Sequence, residues 1–503
     1  MTDLLRHRPT TPPSRGLVEV ARQLGVRPPP VDPSVTGLTL GTSDCCPGDL
    51  FAAVPGGRAH GAAYADQAAE RGAVAVLTDP AGAAVLDATE GAARRLPRVV
   101  VDDPREVLGR LGAWLHDHPT SAFTTLGVTG TQGKTTTTYL AESAVGGTVG
   151  VIGTIGTRIG GRPVASSLTT PEAPALQALF AVMREEAVDV CAMEVSSHAL
   201  VKGRVDGFAF DVAVFLNLGR DHLDFHDDLA DYFDAKAMLF TPDHARRAVV
   251  NVDDDHGRRL LDRTDLPVTT FSTDGRAADW RAANVRPHRL GTDLEVLGPA
   301  GLEIDLSVPL PGRFNVSNAL AVVAALAPEG HDPADLAAGI AASPGVPGRM
   351  ERVDRGQPFT AVVDYAHKPD AVTAVLTALR PVTPGRLVMV IGAGGDRDHG
   401  KRPLMGEAAA RHADLVVVTD DNPRSERPAA IRADLLAGAR GGPAEVVEIG
   451  DRREAIAHAV AGARLGDTVV VAGKGHEQGQ EIDGVVHPFS DRAVLEELLG
   501  ATP

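Results

Sequence analysis

A glycine-rich turn joins an apolar segment directly to a helix-forming segment within TTLGVTGTQGKTTTTYLAESAV, residues 124–145. The apolar run that ends in glycine predicts a buried strand, and the segment after the turn predicts a helix. A strand that leads through such a turn into a helix is typical of an α/β fold with a mostly parallel sheet covered by helices. This feature therefore places the chain in the α/β class.

The chain of 503 residues is too long for one ordinary hydrophobic core, and domains of roughly 100–200 residues suggest about three domains. Proline, glycine and small polar residues mark breaks near residues 118–121 and 344–348. We predict a small N-terminal α/β domain at 1–119, with residues 1–30 partly disordered, a central P-loop ATPase domain with a mostly parallel sheet at 120–346, and a C-terminal Rossmann-like α/β domain at 347–503.

The last third of the chain alternates strand-like and helix-like segments. Its strand candidates are RLVMVIG, ADLVVVTD and DTVVVAG, which are β-branched and lack period-2 alternation. Runs of this kind predict a parallel sheet that is buried on both faces. The region near 270–310 reads only as a polar stretch.

The charge balance argues against a polyanionic partner. The formal net charge is −17, and a phosphate backbone or an anionic membrane is held by clusters of Lys and Arg. No apolar run approaches the length of a membrane span, and the N-terminus lacks the apolar core of a signal peptide. The three cysteines, Cys45, Cys46 and Cys191, suggest no disulfide framework. We therefore expect a cytoplasmic protein that binds no nucleic acid and spans no membrane.

The glycine-rich turn predicts a phosphate-binding loop. Its glycines let backbone N–H groups approach phosphate oxygens, Lys134 offers a positive charge to the β- and γ-phosphates, and the Thr135 hydroxyl can hold Mg²⁺. The spacing departs from the usual G-x-x-x-x-G-K-[ST] motif, because Val128 stands where that motif has its first glycine. The strand-to-helix context still predicts ATP or GTP binding by Gly130, Thr131, Gln132, Gly133, Lys134, Thr135 and Thr136.

Two groups of polar residues follow the next predicted strands. Glu194 follows VDVCAM, and the loop after DVAVFLNL carries Asn217, Asp221, His222 and Asp224. Carboxyl ends of parallel strands share one edge of a sheet, so these side chains are expected beside the phosphate-binding loop. Oxygen ligands and one imidazole suit Mg²⁺. Lys236, in DLADYFDAKAMLF, reads by itself as an ordinary surface lysine.

Three successive strands of the C-terminal domain each end in a charged loop, namely GAGGDRDHGKRP, TDDNPR and GKGHE. Arg397 and Arg424 suit bidentate capture of a carboxylate, and Asp421 and Glu477 can accept hydrogen bonds from an ammonium group. Taken singly each arginine suggests a salt bridge between loops, but three such loops together predict a site for a zwitterionic amino acid. Asp364, Tyr365 and His367, in VVDYAHKPD, also follow a strand and are expected near this site.

The chain resembles the Mur ligase family along nearly its whole length, and most closely the members that add 2,6-diaminopimelate. The resemblance rests on these motifs, which occur in the family's order: GTQGKTT, TTPE, MEVSSHAL, NLGRDHLDFH, FNVSNA, GRMERV, DYAHKPDA, GGDRDHGKRPLMG, DDNPR and GKGHE. It implies an ATP-dependent ligase that joins meso-diaminopimelate to UDP-MurNAc-L-Ala-D-Glu through an acyl phosphate.

The resemblance also implies roles for individual residues. The catalytic set is Lys134, Glu194, His222 and Lys236, with Lys236 carbamylated, and two magnesium ions are held by Thr135, Glu194, His222 and the Lys236 carbamate. The further nucleotide contacts are Asn315, Asn318, Arg349, Asp364 and His367. Contacts to the UDP-MurNAc peptide are Thr42, Gly57, Arg58, Ala59, Thr169, Thr170, Ser196, Lys202 and Arg204, and contacts to diaminopimelate are Arg397, Asp421, Asn422, Pro423, Arg424, Gly473 and Glu477.

The sequence departs from the family's pattern at three places. Gly41-Thr42-Ser43 replaces the Asp-Ser-Arg of the uridine site, Lys202 stands where glutamine is often found, and Gln132 stands where asparagine is common. Three alternatives remain open at this point: the same reaction with L-lysine, a folylpolyglutamate synthetase-like ligase, and a P-loop protein that uses ATP as a switch without ligation. We expect a monomer.

Overall fold

The computed structural model describes residues 7–57, 59–164, 168–222 and 225–500. Contacts divide the chain into two compact units. Unit 1 comprises Met1–Thr138, Val145–Phe271 and Ala324–His331, and unit 2 comprises Tyr139–Ala144, Ser272–Val323 and Asp332–Pro503. The three predicted domains and their boundaries stay predictions.

The strands and helices up to residue 272 belong largely to unit 1. The strands are β1 Arg15–Gly16, β2 Ser34–Val35, β3 Gly37–Thr39, β4 Asp49–Ala53, β5 Ala75–Thr78, β6 Arg98–Val100, β7 Thr124–Thr129, β8 Val149–Gly153, β9 Gly156–Ile159, β10 Arg162–Val164, β11 Val190–Glu194, β12 Val212–Phe215, β13 Ala248–Asn251 and β14 Val268–Ser272. The helices are α1 Leu17–Gln23, α2 Ala65–Glu70, α3 Pro80–Ala88, α4 Pro104–Leu115, α5 Lys134–Ala144, α6 Ala173–Glu185, α7 Ser197–Val201, α8 Leu229–Ala237 and α9 Asp255–Leu261.

The first sheet of unit 1 consists of β3, β4, β5 and β6, which are parallel and lie in that order. Alternate residues of its strands enter two different cores, because successive side chains of a strand point to opposite faces. Leu50 belongs to one core and the adjacent Phe51 to the other, and both are 1% exposed. The sheet is thus covered on both faces.

The second sheet of unit 1 has the order β10-β9-β8-β11-β7-β12-β13-β14. The strands from β8 to β14 in this order are parallel, whereas β9 and β10 are antiparallel additions at one edge. This arrangement confirms the predicted mostly parallel sheet. It also puts the carboxyl ends of β11, β7 and β12 side by side, where the predicted phosphate and magnesium residues begin.

The remaining elements belong largely to unit 2. The strands are β15 Trp280–His288, β16 Gly291–Leu297, β17 Glu303–Val308, β18 Glu351–Val353, β19 Thr360–Asp364, β20 Leu387–Ile391, β21 Leu415–Val418, β22 Glu445–Glu448, β23 Thr468–Ala472, β24 Gly479–Ile482 and β25 Val485–Pro488. The helices are α10 Arg313–Leu326, α11 Pro333–Ala341, α12 Pro369–Leu379, α13 Lys401–His412, α14 Pro428–Ala439, α15 Arg452–Gly462 and α16 Asp491–Gly500.

The main sheet of unit 2 has the order β18-β19-β23-β20-β21-β22, and only its edge strand β18 runs antiparallel to its neighbour. Its central strands are buried β-branched runs, which confirms the predicted Rossmann-like α/β class. The three charged loops follow β20, β21 and β23, which are neighbours in the sheet. Their predicted meeting at one edge is therefore a consequence of strand order.

Two parts of the chain form elements that the sequence did not predict. Within the stretch 1–30, which was predicted to be partly disordered, Arg15–Gly16 pairs with Ser34–Val35, and α1 buries Leu17, Val20 and Ala21 completely. Helical spacing of these apolar residues outweighs the flanking prolines. The polar stretch near 270–310 forms the antiparallel strands β15, β16 and β17, in which one face alone is buried. Within the described ranges, no helix is long and apolar enough to cross a bilayer.

Candidate functional site

The phosphate-binding loop lies between β7 and α5, as its sequence predicts. Gly130 and Gly133 have positive φ angles of 154° and 90°, which residues other than glycine rarely adopt. A Cβ atom on Gly130 would lie 3.1 Å from Cβ of Leu216, so this turn is also tightly packed. Lys134 is the first residue of α5, which directs the positive end of the helix dipole toward the loop. The local geometry suits an anion at this position.

Asn217, at the end of the neighbouring strand, braces the loop. Its Oδ1 accepts hydrogen bonds from the backbone N–H groups of Thr131 at 3.1 Å and Gln132 at 2.9 Å, and its Nδ2 donates to the Gln132 carbonyl at 3.1 Å. These two amides are therefore engaged by the protein itself. The amides available to a phosphate come from the first turn of α5, whose N–H groups have no partner inside the helix.

Lys134 and Lys236 both donate to the same backbone carbonyl. The Nζ atoms of Lys134 and Lys236 lie 2.8 Å and 3.0 Å from the oxygen of Gly130. Lys236 is 1% exposed and its Nζ lies 4.5 Å from the centre of the Tyr232 ring. Its interpretation as an ordinary surface lysine is therefore wrong, because α8 turns this side chain inward toward the phosphate-binding loop. Two ammonium groups thus share one side of the site.

The Glu194 carboxylate lies beside Thr135. Its Oε1 accepts hydrogen bonds from the Thr135 hydroxyl and from the Thr154 amide, both at 2.8 Å, and its Oε2 accepts from the Thr154 hydroxyl at 3.0 Å. Glu194 is only 1% exposed, so its orientation is fixed before any ligand binds. A hydroxyl and a carboxylate in contact are hard oxygen donors of the kind that Mg²⁺ selects, and the residues fit this ion.

Among the residues that the structure describes, Glu194 is not grouped with enough acidic or imidazole side chains to complete a cation site. Over the residues that the structure describes, no three His, Cys, Asp or Glu side chains are grouped to hold a metal ion. His222 has a left-handed φ of 53° and its Nε2 lies 3.1 Å from Asp221 Oδ2. Asp224 lies outside the described residues. The described geometry thus joins Thr135 to Glu194 and pairs His222 with Asp221.

His226, which was not among the predicted site residues, connects this loop to two helices. Its Nδ1 lies 2.9 Å from Asp231 Oδ2 and its Nε2 lies 2.9 Å from the hydroxyl of Ser197. Its backbone amide also donates to the His222 carbonyl at 2.9 Å. The bonds anchor the segment that carries His222 to α7 and α8. A histidine in a loop gives no sequence signal for such a role.

Several residues predicted to contact the UDP-MurNAc peptide surround Glu194 in unit 1. The Thr170 hydroxyl donates to the Glu194 backbone carbonyl at 2.9 Å, and Arg204 donates to the Thr170 carbonyl at 3.2 Å. Thr169 Oγ1 lies 3.4 Å from Thr154 Oγ1. Ser196 caps α7, and the Nζ of Lys202, just after that helix, lies 5.8 Å from the Phe225 ring centre. The structure brings Thr169, Thr170, Ser196 and Arg204 to the end of β11.

The other predicted contacts to this substrate lie around the first sheet. The Thr42 hydroxyl donates to Gln67 Oε1 at 3.3 Å in a short 3₁₀ turn. Gly57 and Ala59 are in the loop that follows β4. Arg58 lies outside the described residues. Their role in substrate binding stays a prediction.

The predicted nucleotide residues of unit 2 fall into two places. Asn315 and Asn318 are in α10 and nearly buried, at 2% and 3% exposed, and Asn318 Nδ2 donates to Asn315 Oδ1 at 3.3 Å. Arg349 and Asp364 lie together at the carboxyl end of β19. The Arg349 guanidinium lies 4.4 Å from the Tyr365 ring centre, and its buried Nε has no hydrogen-bond partner among the described residues.

Burial shifts the pKa values of Asp364 and of the two histidines near it. The Asp364 carboxylate accepts hydrogen bonds from the amides of Met350 at 2.7 Å and Ala366 at 2.8 Å, yet burial still raises its pKa. Burial lowers the pKa of His367 to about 3, so this imidazole is neutral at pH 7. His476 lies 5.4 Å from Tyr365, and burial and Arg349 lower its pKa to about 4. His476 was not among the predicted site residues.

The loops after β20, β21 and β23 bring the predicted amino-acid residues together. Gly394 lies next to both arginines, since a Cβ atom on it would be 3.1 Å from Arg424 Nη1 and 4.0 Å from Arg397 Cγ. A Cβ atom on Gly473 would lie 2.3 Å from Asp421 Oδ2, so only glycine fits beside that carboxylate. The residues assembled at this edge are Arg397, Asp421, Asn422, Pro423, Arg424, Gly473 and Glu477.

Arg424 is held by the hairpin of β24 and β25. Its Nη1 donates to the Gly395 carbonyl at 2.6 Å and its Nε donates to Glu481 Oε2 at 3.2 Å. Its backbone amide also donates to the Glu481 carbonyl at 3.0 Å, and Arg424 has a left-handed φ of 52°. The guanidinium is thus partly paired inside the protein. Neither this hairpin nor its carboxylate was predicted from the sequence.

Comparison with known proteins adds three family matches. Residues 34–114 match the Mur ligase family catalytic domain, residues 128–326 match the Mur ligase middle domain, and residues 348–475 match the Mur ligase glutamate ligase domain. These matches include the phosphate-binding loop, the first two charged loops and the first three residues of the third, Gly473–Gly475.

Individual relatives agree with the family matches. A Streptomyces coelicolor protein described as UDP-N-acetylmuramoyl-L-alanyl-D-glutamate–2,6-diaminopimelate ligase is 55% identical and covers 98% of both chains. A solved structure with the same description is 33% identical, with a TM-score of 0.67 over 97% of this chain and 99% of that chain. Mycobacterium tuberculosis folylpolyglutamate synthase complexed with ADP shares the fold at 22% identity, with a TM-score of 0.61 over 74% of this chain and 92% of that chain.

Proposed function

This chain belongs to the Mur ligase family, and from that premise we propose that it uses ATP to join meso-2,6-diaminopimelate to UDP-MurNAc-L-Ala-D-Glu in peptidoglycan precursor synthesis. The choice of diaminopimelate as the amino acid rests on one observation. Arg397 and Arg424 lie at the same sheet edge as Asp421 and Glu477. Two cations and two carboxylates match a ligand with two carboxylates and two amines. The names of the relatives agree with this choice.

In the first step an oxygen of the D-glutamyl γ-carboxylate attacks the γ-phosphorus of ATP, and ADP leaves, which gives an acyl phosphate. Lys134 supplies positive charge at the phosphate-binding loop, and the first amides of α5 add hydrogen-bond donors. Two magnesium ions, held by Thr135, Glu194, His222 and the Lys236 carbamate, would neutralise phosphate charge when bound. The contact between Thr135 and Glu194 supports this assignment.

In the second step the unprotonated amine of diaminopimelate attacks the acyl carbon. The tetrahedral intermediate collapses, the C–O bond to phosphate breaks, and phosphate leaves with that electron pair and accepts the proton that the amine loses as the amide forms. When the amine and the acyl phosphate are held in a fixed orientation, the reaction is much faster, because the entropy lost in bringing them together no longer adds to the activation barrier. Arg424 and Glu477 perform this task at the far end of the amino acid, where they receive its second carboxylate and second ammonium group.

The same contacts explain a preference for diaminopimelate over L-lysine. Lysine lacks the second carboxylate, so its binding would leave Arg424 without that partner. The bond from Arg424 to Glu481 is partly exposed, which allows an incoming carboxylate to share the guanidinium.

Carbamylation of Lys236 is supported by its neighbourhood. As an ammonium group, Lys236 repels Lys134, because both donate to the Gly130 oxygen. Carbamylation converts this cation to an anion and replaces the repulsion by attraction. The modified side chain also supplies oxygen ligands for magnesium.

The remaining assignments follow the family resemblance. The residues that contact the nucleotide are Asn315, Asn318, Arg349, Asp364 and His367. The residues that contact the UDP-MurNAc peptide are Thr42, Gly57, Arg58, Ala59, Thr169, Thr170, Ser196, Lys202 and Arg204. We further propose that the protein acts in the cytoplasm as a monomer.

The test is to incubate the protein with ATP, Mg²⁺ and UDP-MurNAc-L-Ala-D-Glu, with either meso-diaminopimelate or L-lysine, and to weigh the product by mass spectrometry. The expected product contains diaminopimelate and forms with one ADP per amide bond. Lys134→Ala should abolish product, because it removes the charge that faces the phosphates. Arg162→Ala, which removes an exposed partner of Glu186 in the same unit, is the control and should keep full activity.

Each alternative function predicts a different result of this incubation. Equal use of lysine would refute the specificity assignment, and glutamylation of a folate would favour a folylpolyglutamate synthetase-like ligase. ATP binding without any amide product would leave a nucleotide-dependent switch as the function.

A further inference from the structure

The lysine of the loop after β23 is fully buried. Lys474 has no exposed surface, although a lysine side chain normally keeps its ammonium group in water. The glycines on either side bring it inward, since Gly473 and Gly475 have positive φ angles of 113° and 56°. A Cβ atom on Gly475 would lie 2.8 Å from Cβ of Tyr365, so the loop also packs closely against the residue that directly follows β19. A charge buried in this way requires specific partners.

Lys474 forms a closed network with two neighbours. Its Nζ donates to Asn422 Oδ1 at 2.9 Å and to Glu477 Oε2 at 3.0 Å. Asn422 Nδ2 donates to the same Glu477 oxygen at 2.8 Å, and the Glu481 amide donates to Asn422 Oδ1 at 2.9 Å. Two donors face Oδ1, which fixes the orientation of the Asn422 amide. Each member of the network therefore restrains the others.

The network restrains Glu477 without enclosing it. One carboxylate oxygen accepts from both Lys474 and Asn422, but the Glu477 side chain is still 32% exposed. A carboxylate has acceptor sites for about four hydrogen bonds, so this one keeps acceptor capacity on its exposed side. Asn422, by contrast, has its oxygen occupied by two donors.

We propose that Lys474 is a positioning residue, which holds the Glu477 carboxylate in the orientation that receives the distal ammonium group of the amino-acid substrate. This inference rests on the proposed function, in which Glu477 binds that group. Lys474 acts through Glu477 and Asn422 and does not itself contact the substrate. The positive charge of Lys474 also offsets the negative charge of one of the two carboxylates that face the substrate, Asp421 and Glu477.

The expected size of the effect follows from the freedom that Lys474 removes. A glutamate side chain loses rotamer freedom when it is ordered, and this loss corresponds to roughly a tenfold change in affinity or more. Lys474 and Asn422 order Glu477 before the substrate arrives, so binding does not have to supply that ordering. Loss of Lys474 should therefore weaken recognition of the distal ammonium group about 10-fold to 100-fold.

The experiment compares Lys474→Met with wild type on two substrates, meso-diaminopimelate and 2-aminopimelate. The second compound keeps both carboxylates and the reacting amine but lacks the distal amine. We expect kcat/KM for diaminopimelate to fall about 10-fold to 100-fold, with KM for ATP unchanged and a much smaller loss for 2-aminopimelate. Arg453→Met, which removes an exposed cation of the same unit, is the matched control and should leave both substrates unaffected.

A double-mutant cycle with Glu477→Gln separates positioning from general damage to the fold. If Lys474 acts through Glu477, Lys474→Met should cause little additional selective loss in the Glu477→Gln background. Equal losses for the two substrates, additive effects in the cycle, or unchanged kinetics of Lys474→Met would each overturn the inference. Wild-type protein that forms no diaminopimelate product would instead overturn the proposed function on which it rests.

Discussion

The buried ion pair between Arg452 and Asp491 offers a sharp test of how the C-terminal sheet edge is held together. Both side chains have no exposed surface, and Arg452 Nε and Nη2 each lie 2.7 Å from an Asp491 oxygen. The guanidinium also donates to the carbonyls of Ala472 at 2.9 Å and Asp420 at 3.3 Å. The Ala472 carbonyl is at the end of β23, and the Asp420 carbonyl is in the charged loop that follows β21. Arg452 thus links α15 and α16 to the predicted amino-acid site.

Removing one partner of this buried pair should lower the free energy of unfolding by far more than an exposed ion pair contributes to it. Asp491→Asn keeps the size of the side chain but leaves the Arg452 charge buried and unpaired, which costs about 3–5 kcal/mol of unfolding free energy. For a structural unit of 150–250 residues, 1 kcal/mol lowers the unfolding temperature by about 2–4 °C. Calorimetry of the full chain should therefore show the transition of unit 2 shifted downward by roughly 6–20 °C.

Two further variants complete this test. Arg453→Met removes the neighbouring arginine, whose pairing with Glu497 is exposed, and should leave the transition where it is. Arg452→Met combined with Asp491→Leu should recover part of the loss, because no charge is left unpaired, although Ala472 and Asp420 lose a donor. Equal shifts for Asp491→Asn and Arg453→Met would refute the argument that burial decides the cost.

Two other predictions concern unit 1. Protein equilibrated with ¹³C-labelled bicarbonate should show a carbamate signal by NMR that is absent from Lys236→Ala, whose ligase activity should also be lost; an identical signal in both proteins would contradict carbamylation at this lysine. Burial, with a contribution from Arg184, lowers the pKa of His116 from 6.5 to about 4, so unfolded protein binds a proton here that folded protein does not. Stability is then complete above pH 6.5 and is lost as the pH falls toward 4, by about 2 kcal/mol at pH 5. In urea titrations at pH 7 and pH 5, His116→Gln should lose correspondingly less stability between the two pH values, and an unchanged difference would contradict this assignment.

Local patterns were sufficient for the elements that carry the site. The order of apolar run, glycine turn and helix between residues 124 and 145 predicted β7, the phosphate-binding loop and α5. The same signals predicted the strands before Glu194, Asn217 and the three charged loops. These predictions succeeded because a buried parallel strand must be apolar along its length, and a loop at its carboxyl end must be polar.

Local patterns failed where burial depends on distant parts of the chain. Lys236 reads as a surface residue in its own helix, and only the packing of α8 against the phosphate-binding loop turns it inward. Lys474 is likewise buried because the loops after β21 and β23 meet, which brings Asn422 to its ammonium group. Gly130 is 106 positions from Lys236 in the sequence, and Asn422 is 52 positions from Lys474.

The sequence by itself determined the α/β class, the phosphate-binding loop and the set of charged residues from which the site is built, because these depend on periodicity, glycine and residue type over short stretches. Only the tertiary structure decided which side chains meet. Lys134 and Lys236 both donate to the Gly130 carbonyl, Thr135 donates to Glu194, and Lys474 donates to Asn422 and Glu477. The physical reason is that a charge removed from water needs a partner within hydrogen-bond distance, and the order of strands in a sheet decides which residue that partner is.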